Sequence, residues 1–295
     1  ALSKAEVFEI ANDMQDSRLS LAGAQSKTGW FLPRGKDAKK AGSGDWMLPL
    51  GSAPSTHIVK IASTKHPDLP FNELICMTAA SAAGLEIARS EASDTIPGAF
   101  FSERYDRIWS NEPPSMSGFD VPLRLHQEDF CQAVGWPSYM KYETRPDSCY
   151  MALCGRLIRE QSSNVIADTQ MFARQVMVDY ALGNCDSHLK NHSFLYSPSW
   201  REKRLAPAYD IVCTTIMGYD HNLGIDIGDH RVIDGVTPED FEFMSQDLHL
   251  PLKMIKNIAA EVAEEVSAQL AELASATGDL GRVALKIQTD SVERM

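Results

Sequence analysis

The spacing of apolar positions changes twice along the chain. Through the first hundred residues they come in short runs closed by turn residues. TGWFLPRG, WMLPLG and THIVKIA are stretches of strand length, rich in aromatic, aliphatic or β-branched side chains and broken by Pro and Gly. KDAKKAGSGD, between the first two, is polar and predicts an exposed hairpin or loop. PFNELICMTAASAAGLEIARSE then shifts to a helical period, with Asn72 placed to cap a helix over about 73–83 and Gly84 to end it in a left-handed turn. GAFFSERYDR returns to strand and runs into a charged exit. After Arg107, IWSNEPPSMSGFD is rich in Pro, Ser and Gly and predicts a linker or surface loop. Beyond it the pattern is mainly helical. Phe172, Val176 and Tyr180 recur at helical spacing over 168–182, and Ile255, Ile258, Val262, Val266, Leu270 and Leu273 repeat every three or four residues. The latter set predicts a long amphipathic helix laid on a core, without sustained heptads. The expectation is an α+β chain: a β-rich part over 1–107 and a larger helical part over 108–295.

Composition narrows the class. At 295 residues and 44% apolar, the chain is long enough for two lobes with sizeable cores. A net charge of -12 argues against a surface that grips nucleic acid, since that needs clustered Lys and Arg, and leaves any DNA binding to a partner. There is neither a run of apolar residues long enough to span a membrane nor a charged-then-apolar leader. Cys76, Cys131, Cys149, Cys154, Cys185 and Cys213 are scattered without CxxC spacing and predict reduced thiols in a cytoplasmic protein.

The candidate chemistry is concentrated in GNCDSHLKNHSF, residues 183–194. Asp186 and Asn191 form D-x-x-x-x-N, the spacing at which a kinase loop supplies a proton acceptor and, five residues on, an amide oxygen for Mg²⁺. Lys190 between them suits the charge of a transferring phosphoryl group. Two blander readings stand beside this one: a polar surface loop, or a metal site built from Asp186, His188 and His192. Downstream, LAPAYDIV places Asp210 either as a second Mg²⁺ ligand or as the N-cap of the segment that follows. Upstream, Lys60 stands on an otherwise apolar strand, costly unless its ammonium meets an anion, and Glu73 on the next helix is a candidate partner. SRLSLAGAQSKTGWFL combines Gly23 with Ala22, Ala24, Ser20, Ser26 and Thr28. It suits either a phosphate-holding loop or a plain turn, and it matches neither G-x-G-x-x-G nor G-x-x-x-x-G-K-[ST]. The order of these elements is that of a protein-kinase-like phosphotransferase.

SLAGAQSKT, THIVK, NELICMTAASAAGL, SERYDR, RLHQEDFCQAVG, GNCDSHLKN and LAPAYDI together resemble the signature blocks of the HipA/HipT-type serine/threonine kinases, toxins of bacterial toxin–antitoxin modules. They span residues 18–212 in the family's order. The resemblance implies a bilobal kinase-like fold, ATP and Mg²⁺ as cofactors, Asp186 as general base, and Asn191 and Asp210 as metal ligands. It also implies Lys60 on the phosphates with Glu73 holding it, and His188 and Lys190 as the catalytic-loop pair. Glu103 and Tyr105 would lie where the hinge meets adenine. Ala22, Gly23, Ala24, Gln25 and Lys27 would form the phosphate loop, and Ser20 would be an autophosphorylated serine. Ser26 and Tyr105 depart from the family's more usual residues. The family further implies a HipB-like DNA-binding antitoxin and a protein substrate such as an aminoacyl-tRNA synthetase, whose modification stalls translation and favours persistence. Little precedes the loop here, which suggests the compact form, with a small HipS-like protein or the antitoxin supplying the missing piece. A kinase-fold small-molecule phosphotransferase and a non-catalytic partner-binding module are the alternatives.

Overall fold

A computed structural model of the chain describes residues 6–7, 9–10, 27–34, 46–92, 98–116, 118–144 and 148–295. Ser20, Ala22, Gly23, Ala24, Gln25, Ser26 and the KDAKKAGSGD stretch lie outside these residues. The chain forms two compact units, Ala1–Leu74 with Ala88–Leu125, and Ile75–Ile87 with His126–Met295.

In the first unit β1 (Lys27–Trp30), β2 (His57–Ile61), β3 (Ser90–Ala92) and β4 (Ala99–Glu103) make an antiparallel sheet in the order β1-β2-β4-β3. Trp30, Trp46, Val59, Ile61, Ala99 and Phe101 are buried together, with Val7 from the N-terminal residues packed among them. Removal of such side chains from water is worth roughly 1.5–3 kcal/mol each, which is what holds a sheet this small. The strand expected in WMLPLG shrinks to one bridge, where Phe31 and Met47 exchange backbone hydrogen bonds of 2.9 Å. Pro49, with no N–H to offer, and Gly51, at φ +59°, stop it from extending. The sequence expected a linker after Arg107, and the chain there forms two short antiparallel pairs. They are β5 (Arg107–Ile108) with β8 (Leu123–Arg124), and β6 (Ser115–Met116) with β7 (Phe119–Asp120).

Helix α1 is Leu69–Ala82, so it starts before the cap expected at Asn72. Pro70 sits in the first turn, where a missing N–H costs nothing, and the Asn72 N–H donates to the Asp68 carbonyl at 2.9 Å, inside the helix. Its end is the predicted one: Gly84 takes φ +83° and the Leu85 N–H reaches the Ala80 carbonyl at 3.0 Å.

The second unit is mainly helical. Around α4 (Val165–Leu182) are β9 (Gln127–Asp129), α2 (Phe130–Val134), α3 (Tyr150–Gln161), β10 (Ser193–Tyr196), β11 (Lys203–Leu205), β12 (Asn222–Ile227), β13 (His230–Val232), α5 (Asp240–Leu248), α6 (Leu252–Ala274) and α7 (Gly278–Ser291). A small sheet runs β11-β10-β9, and β12 pairs with β13. Helix α4 packs on α6, and α6 on α7. The apolar stripe of α6 is buried at Ile255, Ile258, Val262, Val266 and Leu270, at the spacing read from the sequence. No helix among the described residues is long and apolar enough to cross a membrane. Five cysteines are buried and Cys149 is exposed, all as free thiols.

Candidate active site

The loop after α4 is fixed by that helix's own last turns. Asn164 caps the start of α4 and Gly183, at φ +71°, ends it, so the chain leaves in a tight left-handed turn. Asp179, one helical turn before the end, accepts from the Asn184 side-chain amide at 2.7 Å and from the Ser187 hydroxyl at 2.6 Å. The Thr214 hydroxyl accepts from the Cys185 N–H at 2.8 Å, and the Leu189 N–H donates to the Lys141 carbonyl at 3.1 Å. Strand β12 presses on the far side. A Cβ on Gly224 would lie 2.5 Å from the Ser187 carbonyl oxygen, so only glycine lets the strand approach the loop this closely.

Within this frame Asp186 is the exposed carboxylate, its side chain 46% accessible. The Tyr142 hydroxyl donates to its Oδ1 at 2.5 Å, and His188 Nε2 lies 4.0 Å from the same oxygen. Asn191 is buried and donates its side-chain amide to the Asp186 backbone carbonyl at 3.1 Å. Base candidate and amide are thereby tied together, and the amide oxygen is directed away from that bond. Asp210 has φ +57°, the left-handed region, which Asp tolerates better than most residues. No helix follows it directly; the next is a single 3-10 turn at Thr215–Met217, so an N-cap role does not explain it. Burial lowers the His188 pKa well below its usual value; the nearby Lys141 charge acts in the same direction, and Asp186 and Asp210 oppose it. His188, Lys141, Asp186 and Asp210 thus share one electrostatic neighbourhood. Two oxygen donors, an amide and a carboxylate, are what a Mg²⁺ ion carrying waters and phosphate oxygens requires of a protein.

Lys190, the cation nominated by the sequence, turns to Asp129, with Nζ 2.5 Å from Oδ2. The other Asp129 oxygen caps α2 by accepting from the Gln132 N–H at 2.9 Å, and the Gln132 side chain accepts the Asp129 N–H in return. His192 is buried between Phe130 and Phe172, and the Ser187 hydroxyl lies 3.3 Å from its Nε2. Burial pushes its pKa down to about 3. Among the described residues no three His, Cys, Asp or Glu side chains converge as a metal cluster, and His188 and His192 are engaged elsewhere. The Asp186–His188–His192 metal reading has no geometry behind it.

In the first unit Lys60 Nζ meets Glu73 Oε1 at 2.5 Å, with side chains 6% and 2% exposed. Lys60 stands in register with Lys27 on one neighbouring strand and Phe100 on the other. Two lysines directly opposite repel unless an anion lies near, and Glu73 is that anion for Lys60. Glu103 ends β4 and pairs with Arg34, and Tyr105 opens the turn that follows. The next residue, Asp106, is buried under Arg104 at 2.8 Å and Arg107 at 2.6 Å. Burial alone would raise its pKa, but the two guanidiniums outweigh it and hold the carboxyl below its usual range.

Asp179 carries a testable pH dependence. Burial raises its pKa to about 7, against the two donors that favour the charged form. The folded chain therefore holds a proton there that the unfolded chain has already released. This contribution to stability is complete below about pH 4 and is lost as pH rises through about 7. Urea unfolding at about pH 5 and about pH 8 should show wild type losing on the order of 2 kcal/mol more than Asp179→Asn over that interval. Parallel pH dependences in the two proteins would remove Asp179 as the source.

Sequence reasoning missed Lys141, Tyr142, Asp129 and Asp179. Asp129 falls in RLHQEDFCQAVG, a block specific enough to mark the resemblance but without a role at that stage.

The sequence profile of the HipA-like C-terminal domain matches residues 19–270. The "Putative kinase Y4mE" of Sinorhizobium fredii is 28% identical over 265 residues, covering 89% of this chain and 59% of the relative. The "Serine/threonine-protein kinase toxin HipA" of Shewanella oneidensis is 28% identical over 273 residues, covering 87% of this chain and 57% of the relative. The chain therefore spans under two thirds of the length of these relatives. Among solved structures, HipA from the Shewanella oneidensis complex of HipA, HipB and operator DNA superposes with a TM-score of 0.76 at 24% identity, over 96% of this chain and 66% of that one. The fold is the α+β, kinase-like one.

Proposed function

Since the chain belongs to the HipA-like C-terminal domain family, we propose that it is an ATP- and Mg²⁺-dependent serine/threonine protein kinase acting as the toxin of a toxin–antitoxin system. The observation that supports this reading is the Asn191 amide bonded to the Asp186 carbonyl, which ties the two side chains of the D-x-x-x-x-N spacing into one turn. Asp186 accepts the proton of the substrate hydroxyl. Asn191 and Asp210 hold the ion, whose role is to neutralise charge on the phosphates. Lys60, held by Glu73, contacts the nucleotide phosphates together with Lys27 and the loop of Ala22, Gly23, Ala24 and Gln25. Glu103 and Tyr105 serve the adenine. His188 orients the loop, and Lys190 ties it to β9 through Asp129. The substrate is a protein of the translation apparatus, an aminoacyl-tRNA synthetase by family analogy, and Ser20 is the site of self-modification. The partner is a HipB-like antitoxin, with a HipS-like protein as a second, and the compartment is the cytoplasm.

Incubation with γ-labelled ATP, Mg²⁺ and a cytosolic lysate tests the reading. Wild type should label a discrete protein band, and Asp210→Asn, which keeps the left-handed backbone but removes the charge, should not. Label in small metabolites would replace the protein-kinase reading with the small-molecule one, and no transfer at all would leave a binding module. Without lysate the chain itself should be labelled on Ser20; label on another residue would remove that part of the proposal.

A further inference from the structure

A kinase site needs a mobile or fixed cation beside the acceptor, and the lysine inside the catalytic loop is already neutralised: Lys190 sits 2.5 Å from Asp129, whose carboxylate is itself locked by the cap of α2. Another lysine reaches the imidazole beside Asp186. Lys141 lies 2.7 Å from His188 Nε2, on the same nitrogen that faces Asp186 Oδ1 at 4.0 Å. An ammonium has only protons to give, so this imidazole nitrogen accepts and the ring is neutral. The ammonium also lies 4.6 Å from the centroid of the Tyr142 ring, and Tyr142 is the residue whose hydroxyl holds Asp186. Among the described residues Lys141 has no carboxylate within ion-pair distance; a neutral ring nitrogen and an aromatic face are its company. Half-buried cations are normally paired, since a dipole returns only part of the lost hydration. The position is also held from the backbone, because the Lys141 carbonyl accepts from Leu189 inside the loop.

We infer that Lys141 is the catalytic cation of this site, the ammonium that contacts the phosphoryl group as it moves from a nucleoside triphosphate to the acceptor hydroxyl. The inference rests on the kinase reading above. In the step, the hydroxyl oxygen forms a bond to the γ-phosphorus as the bond from that phosphorus to the β,γ-bridging oxygen breaks. The hydroxyl proton passes to Asp186 and the nucleoside diphosphate leaves. Negative charge spreads over the three equatorial oxygens, within reach of a cation that shares His188 Nε2 with the base. Such a group stabilises the transition state more than the ground state, so its loss falls on kcat and spares nucleotide affinity.

The test uses the full chain with MgADP, alone and with aluminium fluoride as a planar mimic of the transferring group. Wild type should bind MgADP at least about 100-fold more tightly when the fluoride is present. Lys141→Met should lose at least about 30-fold of that gain while its affinity for MgADP alone changes less than about threefold. Lys141→Arg keeps the charge and should retain the gain to within about tenfold, which guards against a folding defect in the Met variant. If Lys141→Met keeps the full gain, or if Lys190→Met loses it while Lys141→Met does not, the assignment to Lys141 is overturned and the kinase reading stands. A parallel loss of MgADP affinity would make Lys141 a merely structural residue. Wild type that fails to bind MgADP at all would bring down the kinase reading itself.

Discussion

Replacing Asp186 by Asn is expected to lower the rate of phosphoryl transfer by ~10²–10⁴-fold while leaving the affinity for MgATP within a few-fold. The substitution preserves what the structure shows around the side chain. The Tyr142 hydroxyl can still donate to an oxygen at the position of Oδ1, and the Asn191 amide still bonds to the backbone carbonyl of residue 186. Proton acceptance is removed, and with it the negative charge. A rate within tenfold of wild type would show that the acceptor hydroxyl does not need this base, and a loss confined to MgATP affinity would make Asp186 a binding residue. The side chain that holds this carboxylate is Tyr142. Burial and the bond to Asp186 both push its pKa up, so it remains a donor at any working pH and holds the carboxylate in one orientation.

The largest stability effect is expected at Lys60. Its pair with Glu73 is almost wholly buried, so Lys60→Met leaves a carboxylate in an apolar setting and should cost about 3–5 kcal/mol, read as a lower urea midpoint for the transition of the first unit. The double substitution Lys60→Met with Glu73→Leu should recover most of that loss, because the cost lies in the stranded charge. A buried pair of this kind contributes little net stability over well-packed apolar residues; what it fixes is the ammonium's position next to Phe100, 5.5 Å from the ring centroid. If the single variant unfolds at the wild-type urea concentration, the pair is not buried in solution as it is here. If the double variant is no better than the single, lost packing rather than charge explains the effect.

Local pattern revealed those features that depend on neighbours in sequence. The helical spacing of Phe172 and Val176, the stripe on α6, the Gly84 terminator and the D-x-x-x-x-N spacing all operate within one or two turns of chain. Helix α1 was misjudged at its start because Asn72 looked like a cap, whereas Pro70 allowed the helix to begin earlier and Asn72 became buried within it. The Lys60–Glu73 pair was legible because a lone cation on an apolar strand asks for an anion, and thirteen positions on one was available. The partners of the loop were not legible. Lys190 finds Asp129 across 61 positions, Asp186 finds Tyr142 across 44, and His188 finds Lys141 across 47. Tertiary folding alone brings these residues together, so spacing suggested Lys190 as the cation while the geometry offers Lys141.

The left-handed backbone at Asp210 limits what that position can become. Of the residues that accept φ +57° at little cost, Gly and Asn carry no charge, and Asp alone brings a carboxylate to the loop. Shape and charge are therefore separable here. An amide in place of the acid would leave the turn as it is, while removing the negative oxygen from the proposed Mg²⁺ site. On the kinase reading proposed above, one side-chain amide separates a phosphotransferase from a protein that only binds.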